Sequence, residues 1–278
     1  MEASKYIDEF KVDYGFRLTP KTIYGYQLAV RQMQEHMQKS FDLITKKDIR
    51  NWLLKLDEIG YKSSTINRKL VGLKTFYKYC LEEGVLTKNP VKELPFLKVV
   101  ETIPRYLTKN QLSSLLAHVE GKLFERAIIE VFYATGVRIS ELIKMKKEDI
   151  NWSERSILIP EGKGKKSRIV LFDLGCAQYL REYLNSRTDQ LPYVFINQRA
   201  TNKIYVQKIN ANFRSYSKHL GFRITPHMLR HTFTAHLAIR GMPLESIQQL
   251  LGHVTTESTQ IYARLYNSAR KEMYDNWM

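Results

Sequence analysis

The sequence predicts a mainly α-helical protein with an N-terminal four-helix domain and a second, mostly helical domain that contains a small β-hairpin or sheet. Three observations lead to this prediction. The first ~95 residues carry apolar side chains at helical spacing. A proline-rich stretch follows, and beyond it only residues 156–172 contain β-branched apolar runs. The 44% hydrophobic content is sufficient for buried cores in a chain of 278 residues.

The N-terminal domain is predicted to span residues 1–96. Its four helices are expected at 2–14, 19–38, 45–60 and 63–84. Thr19 and Pro20 have the residue types preferred at a helix N-cap and first turn, and Thr45 is a second N-cap candidate. Lysine, arginine and tyrosine side chains share the predicted exposed faces of these helices. Such a surface suits contacts with DNA phosphates, although an ordinary solvated face explains the pattern equally well.

Residues 97–105 are predicted to be an extended linker, because prolines punctuate this stretch and helix signals are few. The second domain, 106–278, then begins with an N-cap candidate at Thr108. Its helices are expected at 109–119, 122–135, 140–146, 174–187, 205–220, 227–240, 243–251 and 255–275. Between the third and fourth of these helices, the runs 156–160 and 167–171 predict a hairpin with a basic, glycine-rich tip at 161–166.

The charge of the chain indicates a polyanionic partner. Forty-four basic and 28 acidic residues give a net charge of +16 and a pI near 9.7, which favours nucleic acid through counterion release. Solubility alone, or attraction to an anionic membrane, is the alternative reading of the charge. No run approaches the ~18 apolar residues of a membrane span, and the N-terminus lacks a secretory signal pattern. We therefore expect a cytoplasmic protein without membrane attachment.

The two cysteines, Cys80 and Cys176, both occur within helical apolar patterns. Two cysteines in such surroundings support neither a disulfide framework nor a multi-cysteine zinc site. We predict that both are packing residues.

Six residues of the second domain together make up the set that chemistry on a phosphodiester needs. Guanidinium groups can hold phosphate oxygens, imidazole and ammonium groups can transfer protons, and a phenol can act as nucleophile. These residues are Arg138, Lys163, His227, Arg230, His253 and Tyr262.

Arg138 and Lys163 each have an ordinary explanation. Arg138 follows a turn at Gly136 and precedes Glu141 by three residues, so the two charged side chains share a face, as they would in a surface ion pair. Lys163 lies between two glycines at the hairpin tip, where contact with a phosphate backbone would be enough to explain it. The chain lacks a P-loop pattern, which disfavours an ATP site.

His227 and Arg230 lie one turn apart at the start of a helix, where the helix dipole favours an anion. A zinc site of His227, His231 and His236 is the alternative. It is disfavoured because the H-E-x-x-H glutamate is missing and Arg230 would put a cation beside the metal. His253 follows Gly252, the glycine expected to end a helix, and a histidine here is usually explained as capping the last carbonyls of that helix. Tyr262, taken alone, fits the apolar face of an amphipathic helix.

Five stretches together resemble the tyrosine recombinases of the phage integrase family, in their smaller Xer-like form. They are ATGVRISEL at 134–142, GKGKKSRIV at 162–170, TPHMLRHTFTAHL at 225–237, LLGH at 250–253, and Tyr262. The resemblance implies that the first domain is the core-binding, DNA-binding domain and the second the catalytic domain. It further implies that Arg138 and Arg230 clamp the phosphate, that Lys163, His227 and His253 are active-site residues, that Tyr262 is the nucleophile, and that Glu141 supports the site.

The function that the resemblance implies is site-specific recombination of double-stranded DNA. Tyr262 would form a 3′-phosphotyrosyl intermediate, with His227 as the candidate base and Lys163 as proton donor, and no metal or other cofactor would be required. Exchange between two short specific sites implies a homotetramer, or a heterotetramer with a paralogue, whose C-terminal helices dock on neighbouring protomers.

Several functions remain open at this point. A type IB topoisomerase would use the same chemistry, a non-catalytic DNA-binding regulator would leave Tyr262 idle, and a metal-dependent nuclease would account for the histidines. Chromosome-dimer resolution, cointegrate resolution, and integration or excision of a mobile element all fit a recombinase. Since no arm-binding domain precedes the first helix, we expect a simple short-site system.

Overall fold

The computed structural model describes residues 3–99, 103–160, 167–252 and 260–278. Most of these residues lie in helices, and the structure also contains one small antiparallel sheet. This confirms the predicted fold class. The chain divides into two units, Met1–Val100 and Glu101–Met278. Each unit has its own hydrophobic core.

The N-terminal unit is built from four helices within its described residues. They are α1 (Ala3–Asp13), α2 (Pro20–Met37), α3 (Lys46–Glu58) and α4 (Ser63–Glu82). The predicted caps are present: Thr19 accepts a hydrogen bond from the Thr22 N–H at 3.3 Å, and Thr45 and Asp48 form a reciprocal capping box. Aromatic side chains such as Phe10, Phe76 and Tyr79 fill the core of this unit.

The second unit contains eight described helices and a short sheet. In chain order, these helices and strands are α5 (Lys109–His118), α6 (Leu123–Thr135), α7 (Ile139–Leu142), β1 (Ile150–Asn151), β2 (Ser156–Ile159), β3 (Arg168–Leu171), α8 (Leu174–Asn185), α9 (Val206–Leu220), α10 (Pro226–Ile239), α11 (Leu244–Leu251) and α12 (Ala263–Trp277). Helix α6 is apolar on most of its surface and packs against both α8 and α10. It therefore forms the centre of the core and holds the residues that follow its C-terminus.

The sheet has the strand order β1-β2-β3, and both pairs are antiparallel. Ile157 pairs with Val170 and both are fully buried, whereas the neighbouring pair Leu158 and Ile169 is exposed. The predicted hairpin is present, and its tip at 161–166 lies outside the described residues. Strand β1 was not predicted, because two residues are too few for an alternating pattern to be recognised.

The C-terminal segment differs from the single helix predicted over 255–275. Residues 253–259 lie outside the described residues, and the chain forms a turn at Ile261 and Tyr262 before α12 begins. The apolar spacing continues through this turn because residues of the turn and of α12 pack against the same hydrophobic cluster, which includes Phe233 and Ile247. In this chain α12 packs on α10. Docking of this helix on a neighbouring protomer stays a prediction.

Two further features bear on the kind of protein. Cys80 and Cys176 are both buried in apolar cores, as the prediction of packing residues requires. Among the described residues, no helix combines the length and the apolar character that crossing a membrane requires.

Candidate active site

The corner between α6 and α7 positions Arg138. Gly136 ends α6 in the left-handed conformation, with φ of 60°, and the chain turns directly into α7. The Glu141 carboxylate accepts hydrogen bonds from the Arg138 backbone N–H at 2.7 Å and from its guanidinium at 2.9 Å. The Arg138 side chain keeps 28% of its surface exposed. Its guanidinium is therefore held in place while still accessible to a ligand.

A second arginine that was not predicted binds the same carboxylate. Arg168 of β3 donates to both Glu141 oxygens, at 3.0 and 2.8 Å, and its Nε donates to the Leu250 carbonyl at 3.0 Å. Burial raises the pKa of Glu141, but the hydrogen bonds from Arg168 and Arg138 outweigh burial and lower this pKa to about 2. Glu141 is thus ionised at neutral pH and links α7 to β3 through Arg168, which in turn links β3 to α11.

Arg230 comes from the first turns of α10, whose start is fixed by Pro226 and by the Thr225 hydroxyl, which accepts from the Met228 N–H at 3.1 Å. Its side chain is buried and donates to the carbonyls of Gly136 and, at 2.9 Å, Leu251. Burial, followed by repulsion from Arg138, lowers the pKa of Arg230 to about 9, which leaves it cationic at neutral pH. The two predicted arginines therefore belong to one site.

His227 is exposed at the edge of this arginine pair. The surrounding protein partly desolvates its imidazole, which lowers the pKa of His227 below the usual value, and the charges of Arg230 and Arg138 lower this pKa further. Its imidazole is therefore neutral at pH 7, beside two guanidiniums.

Tyr262 is buried, with 1% of its surface exposed, and its phenolic oxygen lies 2.5 Å from Nδ1 of His231. Burial raises the pKa of the phenol, and the charge of Arg230 opposes this effect. The His231 ring lies 4.4 Å from the ring of His227, measured between centroids. The residues Tyr262, His231 and His227 thus form a row of polar rings beside the arginines.

Five of the seven predicted site residues come together in this region. They are Arg138, Glu141, His227, Arg230 and Tyr262. Lys163 and His253 lie outside the described residues, and their places in the site stay predictions. His236, the third histidine of the alternative zinc set, instead bonds Tyr133 and the Leu107 carbonyl, at 3.0 Å each. Within the described ranges, no cluster of histidine, cysteine or carboxylate side chains could hold a metal ion.

The roles of Arg168 and His231 were not predicted from the sequence. His231 carried a usable signal, because it lies four residues after His227 and so shares its helix face. Arg168 carried none, since its partner Glu141 is 27 residues away in the chain.

Replacing Gly136 by alanine should destabilise the protein by about 2–4 kcal/mol, from the left-handed backbone and from overpacking. A Cβ here would lie only 2.5 Å from Cδ1 of Phe233. Gly121→Ala is the matched control, because Gly121 also has a positive φ, of +75°, but has open space around it. Urea denaturation should give it a loss of about 1 kcal/mol. Equal losses of unfolding free energy in the two variants would show that the Phe233 ring moves aside without an energetic cost.

The chain matches the models of two protein families. Residues 105–269 match the phage integrase family, and residues 8–84 match the phage integrase N-terminal SAM-like domain. Tyrosine recombinase XerA of Pyrococcus furiosus is 34% identical over 233 residues, which cover 82% of this chain and 79% of the relative. Tyrosine recombinase XerC of Chlamydia pneumoniae is 32% identical over 244 residues, covering 84% and 78% respectively.

Solved structures show the same fold. A crystal structure of XerA recombinase matches 98% of each chain with 30% identity and a TM-score of 0.56. The Tn1549 transposon integrase, in complex with transposon right end DNA, matches over 100% of each chain with 20% identity and a TM-score of 0.81. The chain therefore belongs to the phage integrase family and is a Xer-like tyrosine recombinase, a site-specific recombinase that cleaves and rejoins DNA.

Proposed function

We propose that this recombinase exchanges strands between two short double-stranded sites and that Tyr262 is its nucleophile. The phenolic oxygen would attack a DNA phosphorus, form a 3′-phosphotyrosyl ester and release a 5′-hydroxyl. The observation that carries the proposal is the convergence of Tyr262, His227 and two guanidiniums, which come from three separate stretches of the second unit. A phenol beside paired cations is the arrangement that such an attack needs.

Arg138 and Arg230 would bind the non-bridging oxygens of the phosphate. Negative charge grows on these oxygens in the five-coordinate transition state, so donors that are already fixed stabilise it without reorganisation. Glu141 fixes one guanidinium, and backbone carbonyls fix the other. His227 is exposed beside both and can contact the same phosphate.

Lys163 and His253 complete the proposed site on the strength of the sequence match alone. Lys163 would protonate the leaving 5′-oxygen, and His253 would add a donor to a non-bridging oxygen. The tyrosyl ester retains the energy of the broken bond, so that a 5′-hydroxyl of the second duplex can reverse the attack. We therefore expect the reaction to require neither ATP nor a metal ion.

The assembly follows from the reaction. Two duplexes carry four strands to be cut, which calls for four protomers, as a homotetramer or with a paralogue. The net charge of +16 supports duplex DNA as the partner, with the N-terminal unit as its core-binding domain. We place the protein in the cytoplasm, without membrane attachment, because its proposed substrate is DNA.

The proposal is tested by trapping the covalent intermediate. Fragmented genomic DNA is incubated with the protein in the presence of chelator, denaturation-resistant adducts are isolated, and the recovered site is resynthesised with a nick near the cleavage point. The wild type should form the adduct, and Tyr262→Phe should bind the same DNA without forming it. Tyr266→Phe, one turn further along α12, is the matched control and should keep the adduct.

Two outcomes would contradict the proposal. An adduct that persists in Tyr262→Phe would show that another residue is the nucleophile. Relaxation of a supercoiled plasmid that lacks the recovered site, at a rate equal to cleavage of the site, would favour the topoisomerase alternative.

A further inference from the structure

The hydrogen bond of the Tyr262 phenol suggests a further catalytic residue. We propose that His231 is the general base of the reaction and accepts the phenolic proton on Nδ1 as Tyr262 attacks phosphorus. The motif match singles out His227, Arg230 and Tyr262 but gives His231 no role. The inference rests on the proposed function, since it takes Tyr262 to be the nucleophile.

The burial of Tyr262 is the first argument. With 1% of its surface exposed, the phenol takes its hydrogen-bond partner from the protein rather than from bulk water in this conformation. A proton acceptor must lie within hydrogen-bond reach of the oxygen, at about 2.6–3.2 Å or closer. The Nδ1 atom of His231 meets this requirement at 2.5 Å.

The location of His231 on α10 is the second argument. It lies four residues after His227, and the phosphate-binding candidate Arg230 lies three residues after His227, so both neighbour His227 on the helix surface and the helix presents base and anion site together. His227 is the base predicted from the sequence, but its ring is one step further from the phenol, 4.4 Å from the His231 ring. His227 can therefore serve the phosphate while His231 serves the nucleophile.

The protonation state of His231 suits a base. Burial, then the neighbouring His227 and Arg230, lower the pKa of His231 to about 4. The imidazole is therefore neutral at pH 7 and has a lone pair available for the phenolic proton. Burial also raises the pKa of Tyr262, so that ionisation before the attack is disfavoured and transfer during the attack is needed.

The protons and electron pairs balance without another reagent. As the phenolic oxygen bonds to phosphorus, its proton moves to His231, and the phosphorus–5′-oxygen bond breaks with its electron pair on the leaving oxygen. That oxygen takes a proton from the acid, for which Lys163 is proposed. In the rejoining step the attacking 5′-hydroxyl gives its proton to the neutral amine of Lys163, the proposed acid. The His231 imidazolium returns its proton to the phenolic oxygen of Tyr262 as that oxygen leaves phosphorus.

The experiment separates proton transfer from positioning. Single-turnover cleavage of the nicked site is measured for the wild type, His231→Asn and His231→Ala. Asparagine can place an amide near Nδ1 and keep a hydrogen bond to the phenol, but it cannot accept a proton. Both variants should cleave about 10²–10⁴-fold more slowly, as for the loss of a general base. DNA binding and urea denaturation, measured alongside, establish that each variant is folded.

The pH profile and chemical rescue give the decisive readouts. The wild-type rate should vary little between about pH 6 and 8, because a base with its pKa near 4 is already unprotonated there. The rate of His231→Asn should instead rise about tenfold per pH unit, because the phenol must ionise unaided. Added imidazole should accelerate His231→Ala, and more basic imidazoles should do so more strongly.

A substrate with sulfur in place of the leaving 5′-oxygen completes the test, since a thiolate leaves without a proton. This substrate should restore Lys163→Ala and should leave His231→Asn slow. Wild-type rates in His231→Ala, an unchanged pH profile in His231→Asn, or rescue of His231→Asn by the sulfur substrate would each overturn the inference. These outcomes leave the proposed function intact, whereas an adduct in Tyr262→Phe would refute Tyr262 as nucleophile.

Discussion

Replacing Arg230 by lysine should slow DNA cleavage by about 10²–10³-fold while leaving DNA affinity nearly unchanged, as expected when a preorganised donor to the transition state is lost. Arginine has five N–H donors in a rigid fork, and Arg230 donates hydrogen bonds to the carbonyls of Gly136 and Leu251. The remaining N–H groups stay in a fixed direction for a phosphate oxygen. A lysine ammonium cannot reach both carbonyls and the phosphate at once.

The measurement is the single-turnover rate on the nicked site, together with a binding isotherm for the same DNA. Arg181→Lys is the matched control, because Arg181 is exposed on α8 and lies over the Trp152 ring rather than among the site residues. It should change the rate less than threefold, in line with an exposed surface position. A rate for Arg230→Lys within tenfold of the wild type would mean that Arg138 alone supplies the phosphate contact.

Local contacts of the site were predictable from the sequence. Arg138 and Glu141 lie three residues apart beside a glycine turn, and this spacing alone places their side chains on one face. The helix starts at Thr45, Thr108 and Thr225 were also predictable, because each threonine accepts a backbone hydrogen bond as its residue type favours.

Contacts between distant segments were not predictable in this way. The hydrogen bond from Arg230 to the Leu251 carbonyl and the hydrogen bond between the Tyr262 phenol and His231 span 21 and 31 residues. No periodicity encodes such pairs, since they depend on how α10 packs against α11 and α12. The turn at Tyr262 was hidden for a related reason: its buried ring fits an apolar helical pattern as well as any helical residue does.

Replacing Glu141 by glutamine should destabilise the protein by about 3 kcal/mol at neutral pH, because it removes one partner of a largely buried ion pair. The side chains of Glu141 and Arg168 are only 15% and 11% exposed, so water screens them little. Glutamine keeps the size of the side chain but leaves two guanidiniums without their counter-charge. Glu148→Gln is the control, since Glu148 is 70% exposed and its loss should cost under about 1 kcal/mol.

The dependence on pH follows from the lowered pKa of Glu141. The folded value is about 2 and the ordinary value is 4.5, so the unfolded chain binds the proton more readily between these limits. The stabilisation is therefore complete above pH 4.5 and is lost as the pH falls toward 2. Free energies of unfolding from urea titrations at several pH values should show the wild type and Glu141→Gln converging over this range.

A double-mutant cycle with Arg168→Met then decides what the carboxylate does. If Glu141 chiefly neutralises Arg168, the double variant should be more stable than the sum of the single losses allows, by about 0.5–3 kcal/mol. Its cleavage rate should nevertheless remain low, because Arg138 has still lost the acceptor that orients its guanidinium. Recovery of both stability and cleavage would instead mean that Arg138 is positioned by the phosphate itself. In that case the carboxylate would be needed only to accommodate the buried arginine of β3.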